Sequence, residues 1–248
     1  MPRNVATLSL VSLGALLLAA STALGQACNA NVHGRTNTVS VADLHVSAKA
    51  WGHFEKARQA SEAGNDATLE READLTLAAA PDFVGIYVLR AARQVETHHD
   101  GEAIRTIEAA RRIRPEVPFS SIVLAQALSG QGRFDEAVAD LARARGADTQ
   151  SWQWKFERTR AEIGRRDAEA ALHWSALAFA TMPEGCKDGY ILRMNALQLA
   201  GQLEDAITLM RAYLALESPL PKRAQVESVL ASTQAQLQAK KNALVAER

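Results

Sequence analysis

Residues 121–145 read SIVLAQALSGQGRFDEAVADLARAR. Leu124, Ala125 and Leu128 recur at helical spacing before Gly130-Gln131-Gly132. Phe134, Ala137, Val138, Leu141 and Ala144 do so after it, so the stretch predicts two short amphipathic helices facing each other across a glycine turn. A pair this short and this rich in alanine buries too little surface to stand alone. It needs neighbours on both sides.

The neighbours are copies. Ala103, Ala137 and Ala171 stand 34 residues apart, and Ala206 follows 35 later. Seven residues beyond each comes Ala110, Ala144, Ala178 and Tyr213. Twelve beyond come Pro115, Thr149, Pro183 and Ser218, the last followed by Pro219. Helix axes 8–10 Å apart require side chains that do not separate the backbones, and alanine satisfies that at little entropic cost. Proline ends a helix because it lacks an N–H and restricts the residue before it.

On these residues the sequence resembles the tetratricopeptide repeat family, whose helix-turn-helix unit has this length, small contact residues and a closing proline. The third unit carries the resemblance best, through Leu124, Ala125, Leu128, Gly132, Phe134, Ala137, Leu141 and Ala144, and the likeness extends over roughly Ala50 to Pro221. It implies an all-α, right-handed α-solenoid of about five hairpins with a C-terminal capping helix, and a role in binding a protein or peptide partner.

The segments follow in order. Residues 1–27 read as a signal peptide: Arg3 gives a positive start, Leu8–Ala20 an apolar run, and Ala23–Ala27 small residues for cleavage. The expected location is therefore periplasmic or secreted, from a bacterium. Residues 28–40 read as a loose polar tail and 41–221 as the repeat array. Ser40 and Asp43 suggest a capped first helix over 41–63, and Pro81, 34 before Pro115, ends the first hairpin. In the fourth unit either Ala170 or Ala171 fits the packing position. Residues 183–189 form a longer loop, and 222–248 a polar-backed end helix of the kind that keeps an array soluble.

Composition narrows function. With 28 basic and 28 acidic residues there is no charge excess to draw the chain to nucleic acid or an anionic membrane. Membrane contact is expected only through lipidation at Cys28 or an uncleaved signal. Cys28 and Cys186 are the only cysteines, and an oxidising compartment permits a disulfide between them. No glycine-flanked serine, phosphate loop or Cys/His pair signals catalysis. His98-His99, His173 and the dispersed His33, His45 and His53 lack a metal-ligand pattern, so no metal, cofactor or enzymatic activity is expected. Asp135, Glu136, Asp140 and Arg143, and the pairs Arg111-Arg112 and Arg165-Arg166, read as solvated surface. Trp152, Trp154 and Phe156 read as space-filling in an irregular fourth unit, with an interface anchor as the other reading.

In the resembled family the first helix of each unit lines a concave groove. Carried over by position, the lining is Val88, Ala92 and Val95; Phe119, Ile122 and Gln126; Phe156 and Arg160; and Ile191, Asn195 and Gln198. The family's carboxylate grip needs a lysine where this chain has Val88, Ile122 or Ile191, and only Asn195 matches its asparagine. Apolar anchors and amides instead suit an adaptor that holds a segment's backbone. The alternative is a structural subunit of an envelope or secretion assembly.

Overall fold

A computed structural model describes residues 46–117, 119–145, 149–183, 186–216, 220 and 222–246. Its elements are eleven α-helices, with no strand among the described residues: α1 Ala48–Glu62, α2 Asp66–Ala79, α3 Gly85–Glu96, α4 Asp100–Ile113, α5 Ser120–Gly130, α6 Phe134–Arg143, α7 Trp152–Arg165, α8 Ala168–Thr181, α9 Lys187–Leu199, α10 Leu203–Leu214 and α11 Arg223–Ala246. They make five antiparallel hairpins and a final single helix. Each helix packs on the next in sequence, and the first helices of successive hairpins also touch, α1 on α3, α3 on α5, α5 on α7 and α7 on α9. This is an α-solenoid.

The repeated alanines do what their size permits. Ala103, Ala137, Ala171 and Ala206 are all fully buried, with Leu69 at the same phase of the first hairpin. Ala110, Ala178 and Tyr213 are buried seven residues on, as is Thr76, whereas Ala144 is the C-cap of α6 and only half-buried. Ala171, fully buried beside a half-buried Ala170, takes the packing position of the fourth unit. No single core forms. Apolar clusters follow one another along the array, the largest reaching from Ala91 through α5 and α6 to Trp154 and Ala161.

The turn inside every hairpin has one geometry. Gly64, His98, Gly132, Arg166 and Gly201, spaced 34, 34, 34 and 35 apart, all adopt left-handed φ values of 62–73°. The residue after each, Asn65, His99, Arg133, Asp167 or Gln202, donates its backbone N–H five residues back, to Ala60, Gln94, Leu128, Glu162 or Leu197. That is the helix-ending bond pattern of a Schellman cap, repeated five times. Second helices then open with acids near the positive helix end, Asp100 and Glu102, Asp135 and Glu136, Glu204 and Asp205. The corresponding last turns carry Arg111 and Arg112, Arg143, and Arg211.

Two expected boundaries move. The first helix begins at Ala48, because the Ser47 hydroxyl accepts the Ala50 N–H at 3.2 Å and so provides the cap that Ser40 was expected to supply. Residues 41–45 lie outside the described residues, as do the expected signal peptide and tail. The 183–189 loop is shorter than expected, since α9 starts at Lys187.

Trp152, Trp154 and Phe156 are all buried, at 9, 6 and 4% exposure. Helical spacing divides them. Trp152 and Phe156, four apart, pack edge-to-face with each other and with Cys186 and Leu192, while Trp154 turns the other way into the α5–α6 cluster and meets Trp174 edge-on. Helix α7 is therefore gripped on both sides.

Candidate functional site

The eleven groove positions all fall on or at the start of α3, α5, α7 and α9, the first helices of their hairpins. The structure divides them by exposure. Val88, Ala92, Val95, Phe119, Arg160 and Gln198 are half-buried. Ile122, Phe156, Ile191, Gln126 and Asn195 are buried, with exposures of 1, 4, 3, 7 and 7%. Helix α5 has no open side from Ser120 to Leu128, where every residue is buried. Phe156 belongs to the apolar cluster around Cys186, and the Gln198 side-chain amide donates to Thr233 Oγ1 on α11 at 3.0 Å.

Gln126, Arg160 and Asn195 occupy one register, 34 and 35 residues apart, and make this face polar in its middle. Glu157, one helical turn before Arg160, is buried beneath it. Gln126 Nε2 donates to Glu157 Oε1 at 3.0 Å, and an Arg160 guanidinium nitrogen lies 3.1 Å from Glu157 Oε2 without the angle of a hydrogen bond. The guanidinium also lies over the Phe156 ring, 5.3 Å from its centroid. Burial pushes the Glu157 carboxyl up from its ordinary value, against the opposing pull of Arg160 and Gln126. Glu157 Oε2, Arg160 Nε and Asn195 Oδ1 are buried and have no hydrogen-bond partner. Buried polar atoms are seldom left so.

Side-chain chemistry also concentrates on the other side of the helices, where sequence reading expected solvated surface. Arg111 of α4 reaches Asp140 of α6 through two bonds, 2.6 and 3.0 Å, and the hydroxyls of Ser120 and Ser121 at the start of α5. Asp140 is only 4% exposed. Glu162, at 1%, accepts from Arg158 at 2.8 Å and Arg165 at 2.9 Å, and Arg165 extends to Asp135 on α6. These ion groups join consecutive hairpins. The two links between hairpins, Arg111–Asp140 and Arg165–Asp135, join residues 29 and 30 apart and so leave no mark on any one helix, whereas Arg158–Glu162 and Arg165–Glu162 are pairs within α7.

Cys186 caps α9, is 2% exposed and is disulfide-bonded; Cys28 lies outside the described residues. Among the described residues no group of three or more His, Cys, Asp and Glu is arranged to hold a metal ion, and no helix is long and apolar enough to cross a membrane. An open cleft of about 410 Å³ lies between the start of α10 and the far half of α11, lined by Leu203, Leu237 and Leu244 and crossed by a 2.9 Å Lys241–Glu204 ion pair.

No protein-family model matches the sequence, and no curated protein matches it as a relative. Solved structures do. The chain is similar to yeast Tom70 with a TM-score of 0.60 at 13% identity, over 80% of this chain and 42% of that one. It is similar to the MamA protein with a TM-score of 0.54 at 13% identity, over 70% of this chain and 98% of that one. This chain thus spans less than half of the Tom70 chain. At such identity the likeness concerns the fold, and the fold shared is the tetratricopeptide-type helical repeat.

Proposed function

We propose that the protein is an exported, non-enzymatic adaptor that holds a peptide segment, or a strip of a partner protein, against the concave face of α3 to α9. The observation that carries the reading is the register Gln126–Arg160–Asn195 with its unsatisfied atoms. Arg160 Nε is a donor and Asn195 Oδ1 an acceptor, both buried and unpartnered. A peptide backbone offers both complements at every residue, a carbonyl and an N–H, whereas an apolar ligand would leave these atoms unpaired at a cost of about 1–3 kcal/mol each. Val88, Ala92 and Val95, half-buried at one end, supply apolar contact.

Export rests on the sequence of residues 1–27, and a periplasmic or secreted location follows from it. The balanced charge supports a protein or peptide partner rather than nucleic acid. Because Arg160 is the one charged side chain among the eleven positions, binding should respond little to salt. The test is proximity labelling in the native cell to identify partners, followed by capture with Asn195→Ala and Arg160→Ala. Loss of at least tenfold in affinity, with melting temperatures kept, supports the groove. Undiminished capture of every partner by both folded variants overturns it.

A second reading, a structural subunit of an envelope or secretion assembly, draws on α11, where Leu244 and Val245 are 55 and 74% exposed. A diacylglycerol found on Cys28 by mass spectrometry, with partner capture lost on truncating α11 after Leu237, would favour it.

A further inference from the structure

Arg160 stands apart from the other half-buried arginines of the described residues. Each of those donates at least one hydrogen bond, Arg90 to Glu70 and Asp74, Arg111 to Asp140, Arg158 to Glu162 and Arg193 to Ser175 among them. Arg160 donates none to any described residue. Its side chain is 20% exposed, its guanidinium lies over the Phe156 ring, and of its three nitrogens only Nε is buried. A planar fork of five N–H groups, none engaged, matches the paired oxygens of a carboxylate.

The one charge beside this fork is beneath it. Glu157 is 1% exposed, holds Oε2 3.1 Å from an Arg160 nitrogen and accepts from Gln126 through Oε1 at 3.0 Å. Burial raises its carboxyl, and Arg160 is the only charge that acts on it in return. Of the helices packed on α7, α5 carries no charged residue. On α6, Asp135 and Asp140 are bonded to Arg165 and Arg111 and Glu136 to Arg133. On α8, Asp167 caps the helix, and Glu169 and His173 are exposed. On α9, Lys187 and Asp188 stand at the first turn, and Arg193 donates to Leu172 and Ser175 of α8. On α7 itself, Lys155 reaches Gln150 and Thr181, and Arg158 and Arg165 hold Glu162. An anion arriving at Arg160 would therefore share one guanidinium with Glu157 at a separation of about 6 Å or less, and of two carboxyls so placed one takes a proton.

We infer that the Arg160 guanidinium is the subsite for an aspartate or glutamate side chain of the partner segment, and that this carboxylate enters together with one proton, which Glu157 takes from solvent. The inference rests on the groove reading above: Arg160 Nε and Asn195 Oδ1 are left to the segment's backbone, and the outer nitrogens of Arg160 take its side chain. The balance is simple. Free protein, carboxylate and one proton give a complex in which Glu157 is neutral, so the site holds one cation and one anion before and after. Linkage sets the sign. Between the pH at which Glu157 titrates in the free protein and the higher one at which it titrates in the complex, affinity falls about tenfold for each pH unit gained. The groove thus takes an acidic segment on acidification and releases it as pH rises.

The experiment uses the full chain and nuclear magnetic resonance. It follows the Arg160 Nε–Hε signal, assigned by its loss in Arg160→Lys, and the Glu157 carboxyl carbon, while acetate, inorganic phosphate or acetamide is added across the pH range in which Glu157 titrates. Acetate should shift the Arg160 signal saturably and acetamide should not. Saturating acetate should raise the pH at which Glu157 titrates, and acetate affinity should fall about tenfold per pH unit between the two titrations. Glu157→Gln should bind acetate more tightly above them, with no dependence on pH. An Arg160 signal that acetate leaves in place, an equal shift with acetamide, or a Glu157 titration that acetate does not move overturns the proposal. Saturation by phosphate and not by acetate overturns the carboxylate. Should Glu157→Gln fail to fold, the Glu157 titration in the natural chain decides alone. Capture of cellular partners by Asn195→Ala is scored in parallel, so the groove reading survives or fails separately.

Discussion

Gly164 of α7 lies face-on to the ring of Phe134 at the start of α6, so close that a Cβ on Gly164 would fall well inside the ring's van der Waals envelope. One repeat earlier, Gly130 of α5 stands in the same relation to Asp100 at the start of α4. Helices α4 and α6 thus each set their first residue on the last turn of the next hairpin's first helix. Where that residue is large, glycine opposes it.

The first prediction is that Gly164→Ala overpacks this contact and destabilises the chain by about 1–3 kcal/mol, seen as a lower thermal midpoint. The ring is held in the hairpin junction and cannot yield as a flexible chain would. Phe134→Ala alone removes apolar contact, but combined with Gly164→Ala it should cost less than the sum of the two. Strict additivity of the two losses would show that the contact is not shared.

The second concerns the turns. His98 and Arg166 hold left-handed φ values at which an L-residue is about 1–2 kcal/mol worse than in its ordinary region, and both are exposed. Arg166→Gly should therefore stabilise the array by about 0.5–1 kcal/mol, part of the gain being offset by glycine's greater freedom when unfolded. Gly132→Ala should move stability the opposite way. A chemical denaturation midpoint that falls for Arg166→Gly would contradict the turn geometry.

The third is pH dependence. The Glu157 carboxyl is raised by burial above its ordinary value near 4.5. Between that value and the raised one the folded protein binds more protons than the unfolded chain, so stability is greatest below about pH 4.5 as far as this group is concerned, and falls as pH rises through the folded value. Glu157→Gln keeps the bond with Gln126 and removes the titration. It should raise stability at neutral pH and flatten this part of the profile. Glu72 works in the reverse sense. Its bond from His53, 2.8 Å, holds the carboxyl below its ordinary value, so that contribution is present above pH 4.5 and lost on acidification.

The features legible in sequence were those that backbone contact imposes. Alanine at 103, 137, 171 and 206 is required wherever helices touch, and a requirement of shape leaves a periodic mark. The left-handed turn residue is also periodic, but glycine marks only Gly64, Gly132 and Gly201; His98 and Arg166 adopt the same backbone under tertiary constraint and look unremarkable in a string of letters. Ser40 and Asp43 have the letters of a cap, but they lie outside the described residues, and it is Ser47 that caps the helix Ala48–Glu62. Of the groove, sequence located the helices but not the degree of closure. Ile122 reads as an apolar anchor, yet at 1% exposure a charged Ile122→Asp would bury an unpaired carboxylate and unfold the region, so that variant cannot test binding.

The last prediction addresses the ion group that composition disguised. Asp140 is buried in α6 and receives two bonds from Arg111 of α4, whose guanidinium also holds Ser120 and Ser121 of α5. The more exposed Arg143 approaches the same carboxylate at 3.3 Å from the solvent side and is poorly placed to replace it. Taking away one member of a buried pair leaves the other's charge without compensation, so Arg111→Met should destabilise by about 3–5 kcal/mol. Replacing both, Arg111→Met with Asp140→Leu, removes the stranded charge and should recover most of that loss. Because the pair binds the second and third hairpins together, amide hydrogen exchange in α4 and α6 should accelerate in the single variant more than exchange in α9 and α10, which lie beyond the next two hairpin boundaries. An equal acceleration along the whole array would mean that the chain unfolds as one unit and that the pair contributes to global stability without a local role in joining hairpins.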